Sequence, residues 1–204
     1  MCKYIPTVGA HILHTNRELL EALCVNLRGM AISNGLTHPV AKVATHADLA
    51  YFLSNLNARQ KQELEALQSE LVSLTHAQRW VASSDMRGQV LSRAKAALDV
   101  RGDVAWEECI DTVGAAMQAD VMRNVVPQME SLLWSTTCVL LYQGVRDLWD
   151  DVVSTKAWLG GVRFDSLRAF LDAERAVWRM AGSSRATCSS RARWRTWWCM
   201  AWGT

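Results

Sequence analysis

Met129-Glu-Ser-Leu-Leu-Trp-Ser-Thr-Thr-Cys-Val-Leu-Leu-Tyr142 is the most apolar run of the chain ahead of its C-terminal tail. Leu132, Leu133, Trp134, Val139, Leu140 and Leu141 cover more than one face of a helix, and Glu130 alone is charged. A helix that is apolar most of the way round lies at the centre of a domain or in a membrane. These 14 residues fall short of the roughly 20 that a membrane span requires. The run therefore reads as a central buried helix with other helices packed around it.

Composition agrees with a single folded domain plus a tail. The chain has 204 residues, of which 50% are hydrophobic and 21% charged, with three prolines and a net charge of +2. Abundant Leu, Ala, Glu, Arg and Gln favour helix. So small a net charge selects no particular partner, although the segment beyond Gly182 holds four arginines and no acid. Cys2, Cys24, Cys109, Cys138, Cys188 and Cys199 are dispersed, without a Cys-x-x-Cys pair. That pattern fits reduced thiols in an intracellular, cytoplasmic setting better than a disulfide scaffold. The N-terminus has no basic-then-apolar signal pattern, and no complete transmembrane segment is seen.

Working outward, residues 1–14 read as a flexible N-terminus, 15–182 as a helical domain and 183–204 as a disordered tail rich in Arg and Trp. Thr15-Asn16-Arg17-Glu18 has the form of a capping box. The helix it starts carries Leu19, Leu20, Leu23, Val25 and Leu27 and stops near Asn34-Gly35, a left-handed exit. Pro39 fits the first turn of a second helix, running through Val43, Ala47 and Phe52 to Leu56. Asn57 to Gln60 caps a third, with Leu64, Leu67, Leu71 and Leu74 as a core-facing stripe. Ser83-Ser84-Asp85 reads as a break. Val90, Leu91 and Leu98 mark one further helix, and Trp106, Ile110 and Val113 another after Arg101-Gly102-Asp103. Pro127 ends or kinks the chain before the central run. Helix continues from Val145 to Val153, Gly160-Gly161 interrupts it, and Phe164-Asp165-Ser166-Leu167 opens a last helix through Trp178. The sum is seven to eight helices, an all-α bundle with no strand.

The chemistry-bearing residues form few patterns. His11 and His14 lie three apart near Cys2, but a structural zinc takes four ligands in recognisable pairs. Asp147, Asp150 and Asp151 would share one helical face, where magnesium is one reading and a solvated acidic face the plainer one. No Gly-rich phosphate loop occurs, and no context links a nucleophile to a base. The expectation is a protein without metal or cofactor that is not an enzyme. The tail, Arg193-Trp194-Arg195-Thr196-Trp197-Trp198, has the composition of an interfacial membrane peptide or of a segment that stacks on nucleic acid.

Asn16-Arg17-Glu18-Leu19, followed by Leu23 and Leu27, resembles the first helix of pro-survival members of the Bcl family of apoptosis regulators. Val43-Ala44-Thr45-His46-Ala47-Asp48 is similar to that family's third homology region, with Val43 where Leu is usual and Ala47 where Gly is usual. Arg101-Gly102-Asp103-Val104-Ala105-Trp106 resembles the approach to its first homology region, but Glu107-Glu108 stands where Gly-Arg is expected. Trp158-Leu159-Gly160-Gly161 and Phe164-Asp165-Ser166-Leu167 resemble its second.

That resemblance, spanning roughly residues 15–180, implies a Bcl-like globule around a hydrophobic helical hairpin. It implies a groove lined by Phe52, Leu56, Val90, Leu91, Leu98, Arg101, Trp106, Ile110 and Val113, holding an amphipathic death-ligand helix of a pro-apoptotic partner. Asn16, Arg17, Glu18, Leu19, Asp48, Asp103, Gly160, Gly161, Phe164 and Asp165 are the markers of the homology regions. The function implied is inhibition of cell death, in the cytoplasm or at the mitochondrial outer membrane, with homo- or heterodimers as partners. The sibling of that reading is a pore-forming pro-apoptotic member; alternatives of other classes are a scaffold that oligomerises through the Leu64–Leu74 stripe and a membrane or nucleic-acid binder acting through the tail.

Overall fold

The computed structural model describes residues 3–97, 111–135, 137–144, 147–180, 183–191 and 194–201. In chain order its elements are α1 (Tyr4–Thr15), β1 (Gly29–Ser33), α2 (Pro39–Ala44), α3 (His46–Phe52), α4 (Ala58–His76), α5 (Trp80–Ala97), α6 (Asp111–Val121) and α7 (Val126–Trp134). Then come β2 (Cys138–Gly144), α8 (Val152–Leu159), α9 (Leu167–Leu171), β3 (Arg175–Met180), β4 (Ser183–Arg191) and β5 (Trp194–Ala201). They fall into two compact units, one of residues 1–37 and 125–204, the other of residues 38–124.

The first unit overturns the all-α expectation. It holds a five-stranded sheet in the order β1-β2-β5-β4-β3. β1, β2 and β5 are parallel, whereas β4 runs antiparallel to both β5 and β3. The apolar run that reads as one central helix is divided. Its first part is the end of α7, with Met129, Leu132 and Leu133 buried. There the Ser135 hydroxyl donates to the Leu132 carbonyl at 2.8 Å and stops the helix. The remainder, from Cys138, is the parallel strand β2. Val139 and Leu141 of β2 are buried on one face and Leu140 is half-buried on the other, so the strand reads as a short continuous apolar run, which periodicity alone does not tell from buried helix.

Two other helices of the sequence reading are strands or turns. Residues 17–27 contain only a 3₁₀ turn at Glu21–Leu23, and Leu19, Leu20, Leu23 and Val25 are exposed. Helix ends at Thr15 because Asn16 folds back. Its side chain accepts the Val25 N–H at 2.9 Å and donates to the Val25 carbonyl at 2.8 Å, closing a loop. Thr15-Asn16-Arg17-Glu18 is thus a helix exit, and residues 4–15, read as loose, are α1. Near the other end, α9 is five residues long and Arg175–Met180 is strand. α1 packs on β1 and α7. A Cβ on Gly9 would meet the Leu132 and Met30 side chains at 3.0 Å, so glycine sets how closely α1 approaches.

The described residues of the second unit are helical, and there the capping signals hold. His38 caps α2 by accepting the Ala41 N–H on Nδ1 at 3.1 Å, with Pro39 in the first turn. The single helix expected from Pro39 to Leu56 is the pair α2 and α3. Asn57 and Gln60 form a reciprocal capping box at the start of α4. Leu64 and Leu71 on α4 are buried, as are Val43, Ala47, Ala50, Val90, Leu91 and Ala94. Gln68 of α4 accepts the Ala47 N–H at 3.0 Å, satisfying a first-turn donor of α3. No break occurs at Ser83-Ser84-Asp85. α5 runs through it, the Ser83 hydroxyl donating to the Trp80 carbonyl at 3.0 Å.

Among the described residues, no helix is long and apolar enough to cross a membrane.

Candidate active site

The carboxyl ends of β1 and β2 build a densely hydrogen-bonded polar site in the first unit. The two strands pair from Gly29↔Cys138 to Ser33↔Tyr142. They approach so closely at the start that a Cβ on Gly29 would sit 2.9 Å from the Cys138 Cβ. The ladder continues one step further, with the Asn34 N–H donating to the Tyr142 carbonyl at 3.1 Å. Asn34 itself adopts φ 43°, the left-handed region, which Asn tolerates better than most side chains.

That backbone turn aims the Asn34 amide across the strand end. Its Oδ1 accepts the Gly144 N–H at 3.1 Å, and its Nδ2 donates to Asp147 Oδ2 at 2.5 Å. The other oxygen of Asp147 accepts two backbone N–H groups, from Trp149 at 3.0 Å and Asp150 at 3.1 Å. The Asp147 N–H returns to the Gly144 carbonyl at 3.3 Å. A half-buried carboxylate is therefore gripped on both oxygens, immediately beyond a parallel strand. In open α/β sheets, ligands and chemistry collect outside the carboxyl ends of the strands.

Asp151, 1% exposed, has a different task. It caps α8, accepting the Ser154 N–H at 2.7 Å. The three aspartates therefore share no helical face: Asp147 and Asp151 each hold a turn of backbone. Among the described residues no three His, Cys, Asp or Glu side chains come together as a metal site. Cys2, set beside His11 and His14 in the sequence, lies outside the described residues.

The residues singled out from the sequence are scattered over both units. Asn16 closes its loop with Val25, whereas Arg17, Glu18 and Leu19 are exposed. Asp48 pairs with Lys61 at 3.0 Å on the surface. Leu56, Val90 and Leu91 are buried, whereas Phe52 is 78% and Val113 59% exposed. Leu98, Arg101, Asp103, Trp106 and Ile110 lie outside the described residues. Gly160 and Gly161 turn the chain after α8. Phe164 packs on Phe170 with ring centroids 6.4 Å apart, and Asp165 lines an open hollow with Arg168 and Asp172. Asn34 and the role of Asp147 escape sequence reading. The signal that could find them is a buried apolar strand ending at Gly144 with an acid three residues on.

The sheet and its flanking helices define an α/β protein, and comparison with known proteins gives the family. The sequence model described as serine carboxypeptidase matches residues 2–91 and 87–189. Serine carboxypeptidase-like 50 of Arabidopsis thaliana is 36% identical over 209 residues, covering 87% of this chain and 46% of that protein. Serine carboxypeptidase S10 family member 2 of Dictyostelium discoideum is 23% identical over 228 residues, covering 88% of this chain and 40% of its own length. Among solved structures, the prohormone-processing carboxypeptidase of Saccharomyces cerevisiae shares the fold with a TM-score of 0.75 and 13% identity, over 99% of this chain and 55% of that one. The chain belongs to the serine carboxypeptidase family. It spans about half the length of the curated relatives it matches.

These findings overturn the apoptosis reading as a whole. The Bcl-like fold, inhibition of cell death and death-ligand partners rested on short degenerate motifs, and the expectation of a non-enzyme, which falls with them, rested on the lack of a phosphate loop and of any sequence context linking a nucleophile to a base. Asn16 to Leu19 shows the weakness, since it leaves a helix instead of entering one.

Proposed function

We propose that this chain supplies the acid of a serine carboxypeptidase site, with Asp147 as that acid, acting on the C-terminal bond of peptides. The observation that carries the reading is the double grip on Asp147 at the end of β2. In a Ser-His-Asp triad the acid accepts from the imidazole, fixes its tautomer and stabilises the imidazolium as the serine attacks the carbonyl. Such an acid must be held still, and three donors fixed by the strand end hold this one.

The nucleophile and base are assigned elsewhere. Nucleophile elbows of α/β hydrolases read Gly-x-Ser-x-Gly, and triad residues follow the order serine, acid, histidine. The chain contains no Gly-x-Ser-x-Gly, and His11, His14, His38, His46 and His76 all precede Asp147. We assign the serine and the histidine to the portions of the relatives that this chain does not span.

The test joins the chain to the segments of the Arabidopsis relative that the match leaves uncovered. Release of the C-terminal residue from an N-blocked dipeptide is then measured. Turnover is expected, and Asp147→Asn should lower kcat about 10⁴-fold, as loss of a triad acid does. Equal turnover by the Asp147→Asn variant, or none from the unaltered protein, overturns the reading. A cytoplasmic setting, read from the dispersed cysteines, stays a proposal, and the mitochondrial placement goes with the apoptosis reading.

A further inference from the structure

We propose that Asn34 is a positioning residue for Asp147, an inference that rests on the reading of Asp147 as the triad acid. Asn34 sits at the end of β1, whereas Asp147 follows β2, 113 residues later in the sequence. A side chain reaching across two strands is well suited to fix a catalytic group, because both ends are anchored in the sheet. Both polar atoms of the Asn34 side chain and its backbone N–H are committed. The backbone N–H holds Tyr142, Oδ1 holds the Gly144 N–H, and Nδ2 holds Asp147 Oδ2.

The amide is chemically specific for this position. Asp147 needs donors, and its neighbour Gly144 needs an acceptor, at opposite sides of one small planar group. Asn offers both. An aspartate in place of Asn34 would keep the acceptor and lose the donor, placing two carboxylates together. A glycine there would keep the left-handed backbone and lose both. With Asn34 in place, Oδ1 of Asp147 is turned to the backbone N–H groups of Trp149 and Asp150. The carboxylate plane is then set by three donors, one from the end of β1 and two from the turn ahead of α8, and its remaining lone pairs define where an imidazole N–H would approach.

A like-charged pair of carboxyls binds a proton more readily than either alone. Once protonated, the carboxyl introduced by Asn34→Asp would again donate to Asp147. Asn34→Asp should therefore lose activity at neutral pH and regain it, relative to the unaltered protein, as pH falls. Asn34→Gly should lose activity at every pH. A role confined to stability would not separate the two variants in this way.

The experiment measures kcat and KM for Asn34→Gly, Asn34→Asp and Asp147→Asn between pH 4.5 and 8, all in the joined protein described above. Urea unfolding of the 204-residue chain carrying each change serves as the folding control. For Asn34→Gly, kcat should fall about tenfold to a hundredfold, the cost of a small misplacement, with KM unchanged. The ratio of Asn34→Asp to unaltered kcat should rise as pH falls. If Asp147→Asn is inactive while both Asn34 variants keep full kcat, the inference fails and the reading of Asp147 stands. If the Asn34→Asp ratio is as flat with pH as that of Asn34→Gly, positioning through the donated hydrogen bond is also overturned. If Asp147→Asn turns over normally, the reading of Asp147 fails and the role of Asn34 fails with it.

Discussion

His38 carries a charge penalty that fold and sequence place together. Burial disfavours its protonated form, and nearby His76 adds to that effect, so its pKa lies below the ordinary histidine value. Its Nδ1 must also stay unprotonated to accept the Ala41 N–H. A base whose folded pKa is depressed contributes stability that is complete above its unfolded value, about 6.5. That stability is lost as pH falls through the lower folded value. The urea midpoint of the chain should thus drop between pH 7 and pH 5. His38→Asn keeps a capping acceptor and removes the titration, so its midpoint should vary less over the same range. An unchanged pH dependence would exclude His38 as its source. At this scale the sequence was informative about residue type and silent about setting. Asn34-Gly35 signals a left-handed exit, and Asn34 is left-handed. The same backbone preference ends helices and strands alike, so the signal did not reveal that a strand ends there.

Helices α2 to α4 show which elements can be read locally. Asn57 and Gln60 meet within one turn, and Leu64 and Leu71 lie on one stripe, so neighbouring residues suffice to predict α4. The link between α3 and α4 needs the fold: Gln68 reaches the Ala47 N–H from 21 residues away, in a buried site. Gln68→Leu should destabilise the chain by about 1–3 kcal/mol, because it strands a buried donor. Gln68→Glu retains an acceptor and should cost less, with chemical denaturation giving both values. Equal losses would mean that Gln68 acts by packing alone. The strands were illegible for a related reason. β1 pairs with β2, and Asn34 finds Gly144 from 110 residues away. Nothing near Met30-Ala31-Ile32 announces that partner. An apolar run such as Val139-Leu140-Leu141 fits a parallel strand and a buried helix equally well.

At the scale of the molecule, the tail changes meaning. β5 lies between β2 and β4, so residues 194–201 are inner members of the sheet. Deleting 183–204 should leave the β5-facing edge of β2 unpaired, lower the thermal transition and speed amide exchange at Val139 to Leu141. Unpaired edges also invite aggregation. If the truncated chain melts like the full one, β5 contributes nothing to the sheet.

The close pairing of β1 with β2 has a further consequence during biosynthesis. Residues 38–124 are made after β1 and before β2, the strand with which β1 pairs. With translation at about 5–20 residues per second, the segment around Ile32 waits on the order of 5–20 seconds without the strand it needs. Over that interval Met30 to Ile32 lack β2, the strand that they pair with in the folded sheet.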